Sequence, residues 1–197
     1  ARTYEKAGQL QLAISTYDEA LNRSQWDVRI VVPVLTALYR ANEYDRADEV
    51  LRRLNDENLF HPDLEKLELK SYLRRGELNS AGSILENLLI DDPNNTSMRL
   101  TLAMLRIRQN KFTEAERLLR GLKIRGPNSM PITIAQIQLG IHQNRPEEAL
   151  GLCDEIIDRL DNALAYIIRA KTFASLRQTD KAIEDFEHAI TIEPDNV

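Results

Sequence analysis

Cysteine occurs once in the 197 residues, as Cys153, so no intrachain disulfide can form and packing must hold the fold. A lone thiol fits the cytosol without excluding the periplasm. The seven glycines never gather into a phosphate-cradling loop or a nucleophile elbow. The three histidines, His61, His142 and His188, have no second metal ligand at useful spacing. No apolar run approaches the roughly 18 to 20 residues needed to cross a bilayer, and the opening residues are not those of a signal peptide. An excess of positive charge is missing as well. Lys and Arg number 26 against 31 Asp and Glu, giving a net charge of −5, whereas nucleic-acid binders usually carry a cationic footprint. These absences lead us to expect no catalytic residue, no cofactor, no metal, no nucleic acid and no direct membrane insertion.

A period is present instead. Ala13, Ala47, Ala81, Ala115, Ala149 and Ala182 are separated by 34, 34, 34, 34 and 33 residues, and a step of that size marks an array of helix–turn–helix units. Five residues before the alanines stand Gly8, Asn42, Gly76, Asn110 and Asn144, the types that reach positive φ with least strain. A helix that must stop and reverse needs such a residue. Arg177 stands in this register in the last unit and departs from the rule.

The chain reads as a single array over 1–197. A partial unit occupies 1–27, with Tyr4, Ala13, Tyr17 and Ala20, and Trp26 falls in the turn that follows. Trp26 is expected to pack against a neighbouring helix. The second unit is 28–61; Pro33 within it predicts a helix that starts near that residue or kinks there. The third unit, 62–95, carries Glu65 and Glu68 at places usually apolar. In 96–129, which contains Pro127, Arg106 replaces an expected aromatic. It is expected to lay its stem on the core and keep its head in water. The unit 130–162 diverges most, with Thr133, Gln136 and Gly140 in slots filled elsewhere by larger or more apolar residues, which suggests a soft joint. Cys153 should be a small buried hydrophobe. The last unit is 163–196. The chain starts inside what should be a first helix and stops just after Pro194, so we read it as a piece of a longer array.

That last stretch is similar to the tetratricopeptide repeat (TPR), on the strength of Tyr166, Ala170 and Phe173 in its first helix, then Ala182, Phe186, Ala189 and Pro194. The resemblance spreads over nearly the whole chain. It implies an all-α, right-handed solenoid of antiparallel helix hairpins, with the first helices lining a concave groove. It also implies a non-catalytic scaffold or adaptor that takes an extended peptide or a partner helix in that groove. Two alternatives stay open: a spacer or assembly array in a larger envelope or polysaccharide-export machine, and the sensor region of an enzyme whose catalytic domain lies elsewhere. The compartment is open between cytoplasm and periplasm.

The groove can be anticipated row by row. Lys6, Arg40, Arg74, Arg108, His142 and Ser175 come seven residues before the alanines. Glu5, Tyr39, Leu73, Ile107, Ile141 and Ala174 come one earlier, while Val32, Leu100, Ile134 and Ile167, with Met104, should add apolar floor. An apolar strip edged by cations suits a protein or peptide carrying acidic residues; a solvated row of side chains is the competing reading. The resemblance also raises the carboxylate clamp by which some TPR domains hold chaperone C-termini. The corresponding positions here, Pro33, Leu67, Thr101, Ala135 and Ile168, include no asparagine and argue against it. Finally, Ile183, Phe186, Ile190 and Ile192 are expected to be partly uncovered, which raises the possibility of self-association through the C-terminal repeat.

Overall fold

The structure is a computed structural model that describes residues 10–24, 26–56, 62–125 and 129–194. Tyr4, Glu5, Lys6, Gly8, His61 and Pro127 lie outside the described residues. Eleven helices and no strand occur among those described: α1 (Leu10–Arg23), α2 (Val28–Arg40), α3 (Tyr44–Asp56), α4 (Pro62–Arg75), α5 (Leu78–Asp91), α6 (Thr96–Arg108), α7 (Phe112–Arg125), α8 (Met130–His142), α9 (Pro146–Leu160), α10 (Ala163–Ser175) and α11 (Thr179–Ile192). None is long and apolar enough to cross a membrane.

One turn recurs five times and explains why the helices stop where they do. Asn42, Gly76, Asn110, Asn144 and Arg177 all have positive φ, between 56° and 74°. The residue after each donates its N–H back across the helix end: Glu43 to Leu38 O, Glu77 to Tyr72 O, Lys111 to Arg106 O, Arg145 to Gly140 O and Gln178 to Phe173 O, at 2.8–3.0 Å. A left-handed residue of this kind satisfies carbonyls that the helix leaves unpaired and folds the chain back into a hairpin. Arg177 adopts the conformation although its Cβ makes that cost about 1–2 kcal/mol. The turn is therefore set by the hydrogen bonds around it as well as by residue type.

Three helix starts are fixed by side chains. Asp27, Asn95 and Asn162 each accept a backbone N–H of the following first turn, capping α2, α6 and α10. The Asp27 cap decides the case of Pro33. Helix α2 begins at Val28 and carries Pro33 inside it, so the helix does not wait for the proline.

The chain divides into two compact units, residues 1–88 and 89–197. The first has a core built on Ile14, Leu35, Leu38 and Leu54, against which the half-buried Trp26 packs. The Arg53 guanidinium lies 4.2 Å from the centre of the Trp26 ring. In the second unit one cluster joins α6, α7 and α8 through Ala103, Ile107, Leu119, Leu122 and Ile132. A further cluster joins α8, α9 and α10 through Ile137, Cys153, Ile156 and Ala165.

All six periodic alanines are buried. Small side chains at helix crossings let the backbones approach. Gly140 takes this to its limit, since a Cβ there would sit 3.3 Å from Ala149 Cβ and 3.4 Å from Arg145 O. Ala115→Leu is accordingly expected to overpack the α6–α7 crossing and to cost about 1–3 kcal/mol. Thermal unfolding indistinguishable from that of the unmodified chain would contradict this.

Arg106 departs from expectation. Its head is not in water: the residue is buried, Nε lies 2.9 Å from Glu114 Oε2, and an Nη donates to Gln109 Oε1 at 2.6 Å. The guanidinium exchanges hydration for a carboxylate supplied by the partner helix of its own hairpin. Cys153 is buried beside Thr172, with Sγ 3.4 Å from Oγ1, and burial pushes its thiol pKa up. That suppresses the reactive thiolate.

Candidate interaction surface

Within residues 89–197 the first helices of successive hairpins touch, α6 against α8 and α8 against α10. Among the described residues the second helices α7, α9 and α11 do not pack on one another in the same way. The outward face of α6, α8 and α10 is therefore one continuous wall within this unit.

Positions four apart on a helix share a face, and each first helix contributes three such positions to the wall. Leu100, Ile134 and Ile167 are half-buried along one edge. Met104, Gln138 and Lys171 are exposed along the middle, and Arg108, His142 and Ser175, all exposed, lie along the other edge. The wall thus runs from apolar to polar and cationic within about 12 Å, the rise of eight helical residues. Arg108 has no ion-pair partner among the described residues, and the His142 ring lies 6.4 Å from that of Phe112.

In residues 1–88, α2 and α4 are the first helices and pack together. Arg40 is exposed and has no ion-pair partner among the described residues. Arg74 is engaged. It pairs with Asp48, a buried carboxylate that also accepts from the Ser71 hydroxyl, and its guanidinium lies 5.0 Å from the Tyr44 ring centre. The expected even row of cations is thus uneven: one member is neutralised by a neighbouring helix. Lys70 is exposed on α4 and adds a cation that the expected rows do not include. Its ammonium lies 4.5 Å from the Tyr39 ring centre.

Two residues expected on the groove floor belong to the core. Tyr39 is 4% exposed and donates its hydroxyl to Leu67 O at 3.1 Å, and burial raises its pKa. Ile107 is 1% exposed, in the cluster between α6 and α8. The cause is common to both: their register points at the next first helix. Leu73, in that register too, is half-buried, as is Ile141, which packs against the α8–α10 cluster. On α4, burial raises the Glu68 carboxyl pKa, with the charge of Glu65 adding to the effect. No group of three or more His, Cys, Asp and Glu side chains that could hold a metal ion occurs among the described residues.

This architecture is that of a known family. Tetratricopeptide-repeat signatures match residues 72–137 and 159–196, together more than half of the chain. A crystal structure of a TPR protein from Parabacteroides merdae superposes with a TM-score of 0.82 at 15% identity, over 97% of this chain and 76% of that one. TTC0263, a TPR protein of Thermus thermophilus, gives 0.60 at 17% identity over 85% and 92%. YrrB, described as a TPR protein with an unusual peptide-binding site, gives 0.54 at 19% identity over 91% and 93%. No curated protein matches the sequence. The chain belongs to the tetratricopeptide repeat family, with the all-α hairpin-solenoid fold of that family. Its hairpins are of the kind that generally serve as non-catalytic modules for binding proteins or peptides.

Proposed function

We propose that this protein is a non-catalytic scaffold whose first-helix wall over residues 89–197 receives an extended or helical segment of a partner protein, apolar on one edge and acidic on the other. The observation that carries the reading is the ordering of the wall, with Leu100, Ile134 and Ile167 on one side and Arg108 and His142 on the other. An apolar row gives a ligand buried area, and a polar edge carrying the Arg108 charge fixes its direction and disfavours the reversed register. The wall is built on packed helices, so little ordering is required of the receptor when a segment docks. The fold is shared with YrrB, whose description as a peptide binder supports a peptide ligand here. The exposed Arg40 and Lys70 extend the preference for acidic ligands to the first unit. Repeat boundaries at 28, 62, 96, 130 and 163 are part of the same reading.

The test uses an amphipathic probe peptide with leucines on one face and glutamates on the adjoining face. Arg108→Glu combined with His142→Glu is expected to weaken its binding about tenfold or more, because the attraction at Arg108 becomes a repulsion and a second negative charge is added beside it. Neither residue is buried, so thermal unfolding should stay within about 0.5 kcal/mol of the unmodified chain. Unchanged affinity in the double variant would remove the cationic edge from the reading.

A further inference from the structure

Nine residues before each periodic alanine the chain carries a large side chain, with one exception. Tyr4, Leu38, Tyr72, Arg106 and Phe173 hold this place in five repeats, and Gly140 holds it in the divergent one. A cavity of about 130 Å³ lies there, between α7, α8 and α9. The buried Leu119, Leu139 and Gly140 form its base, and Gln143 and Glu148 stand on its walls. Helix α9 already lies close against Gly140, where a Cβ would sit 3.3 Å from Ala149 Cβ. The close approach of the helices therefore does not fill the space.

The repeat before shows what the slot is equipped to hold. There Arg106 is buried, with Nε 2.9 Å from Glu114 Oε2 and an Nη donating to Gln109 Oε1 at 2.6 Å. Gln109 and Glu114 stand six residues and one residue before Ala115, and Gln143 and Glu148 hold the same two places before Ala149. No other repeat has Gln in the first place or Glu in the second. The pairs there are Ala7 and Leu12, Ala41 and Arg46, Arg75 and Ser80, and Leu176 and Lys181. The two acceptors thus occur where an arginine fills the slot, and once more where glycine leaves it open.

Both acceptors are available. The Gln143 carboxamide makes no hydrogen bond among the described residues. Glu148 meets Arg145 at 3.6 Å, beyond hydrogen-bond distance. Arg145 holds the place of Lys111, so a cation in that position accompanies the filled slot as well. Arg120, the other cation at the rim, is engaged by Glu116 at 3.3 Å. Arg120, Arg145 and Glu148 are all exposed, so the mouth faces solvent.

We propose that this cavity receives an arginine side chain from a protein partner, its guanidinium donating to the Glu148 carboxylate and to Gln143 Oε1. The planar fork of a guanidinium reaches two acceptors at once, which a compact ammonium does less well. A cavity of about 150 Å³ holds a group the size of benzene. Here, then, the end of one side chain fits and its main chain stays outside, which suits an arginine presented by a segment lying across the mouth. Gln136, Gly140 and Gln143 lie about half a turn round α8 from Ile134, Gln138 and His142. The site is therefore separate from the wall and does not depend on its reading.

Capped single residues titrated into the full chain and followed by amide NMR make the test. N-acetyl-arginine methylamide is expected to give saturable shifts at the Gly140 and Gln143 amides and at the Gln143 side-chain amide. The citrulline analogue, similar in shape and uncharged, should bind about tenfold more weakly, because charge-assisted bonds are lost. Glu148→Gln should remove the difference between the two; the position is exposed, so the fold is not at stake. Arg108→Glu with His142→Glu should leave arginine binding unchanged. Equal affinity for arginine and citrulline, tighter binding of the phenylalanine analogue, or no saturable shift with any of them would each overturn the proposal. So would free arginine binding more tightly than the capped residue, since the ligand would then be a small molecule and not a partner segment.

Discussion

Arg169→Leu is expected to weaken the α10–α11 hairpin by about 3 kcal/mol, among the largest effects of any single change outside the apolar core. Asp185 is 6% exposed on α11, and Arg169 meets it with two parallel bonds, Nε to Oδ2 and Nη2 to Oδ1, both 2.8 Å. A third bond runs to Asp154 on α9, so one side chain ties three helices together. Hydrogen bonding to Asp185 above all raises the guanidinium pKa, against the opposing effect of burial. Removing the arginine leaves the Asp185 carboxylate buried without its strongest donor, and that unmet desolvation sets the cost. The Arg169 side chain is 25% exposed, which places the loss near the low end for buried pairs. In a repeat array the damage should stay local. Amide hydrogen exchange in α10 and α11 should accelerate about a hundredfold, the factor that 3 kcal/mol represents, while α6 and α7 change little. Arg169→Leu with Asp185→Leu should recover most of the loss, since an apolar pair carries no desolvation debt. If the double variant were as weak as the single one, packing and not the ion pair would be what Arg169 supplies.

Much of this fold was legible because two of its constraints act on residue type at fixed spacing. Only small side chains fit the helix crossings, so alanine returns in step. Left-handed turns favour Asn and Gly, so Asn42, Gly76, Asn110 and Asn144 return as well. Arg177 shows the limit of the second rule: a favourable hydrogen-bond frame can hold an unfavourable residue type there. The wall was less legible. Tyr39 lies one residue from Arg40 and Ile107 one from Arg108, a rotation of about 100° on a helix. Which of two adjacent registers is covered depends on how closely successive first helices approach, and periodicity in a sequence does not contain that distance. The same gap hid the row of Lys70, Gln138 and Lys171, whose types vary because solvent tolerates them all. The pairing of Arg74 with Asp48 and of Arg106 with Glu114 was invisible for a related reason. Each pair joins two helices, and only their packing brings the charges together.

Leu119→Ala should cost about 4 kcal/mol, toward the upper end for leucine truncations, because of what surrounds the side chain. Leu119 is 1% exposed on α7, and its cluster includes Ala103 from α6, Ala115 from α7 and Ala135 from α8. The three alanines have no length with which to fill a hole, and the larger Ile107, Leu122, Ile132 and Leu139 of the same cluster are already buried at the helix crossings. Relaxation would require a helix to move, yet the alanine crossings already hold the backbones close. The cavity should therefore persist, and its lining should lose dispersion contacts outright. Denaturant unfolding followed at α6–α8 tests this, and a loss below about 1 kcal/mol would mean that α7 slides inward to close the gap. The two outcomes differ for the wall as well. Helix α7 packs against both α6 and α8, so a rigid cavity leaves Leu100, Ile134, Arg108 and His142 where they stand. An inward slide would shift α6 against α8 and weaken the acidic probe peptide, even though Leu119 is buried behind the wall. Measuring stability and peptide affinity on the same variant thus tells whether the second helices merely support the first or set the spacing of the surface that binds.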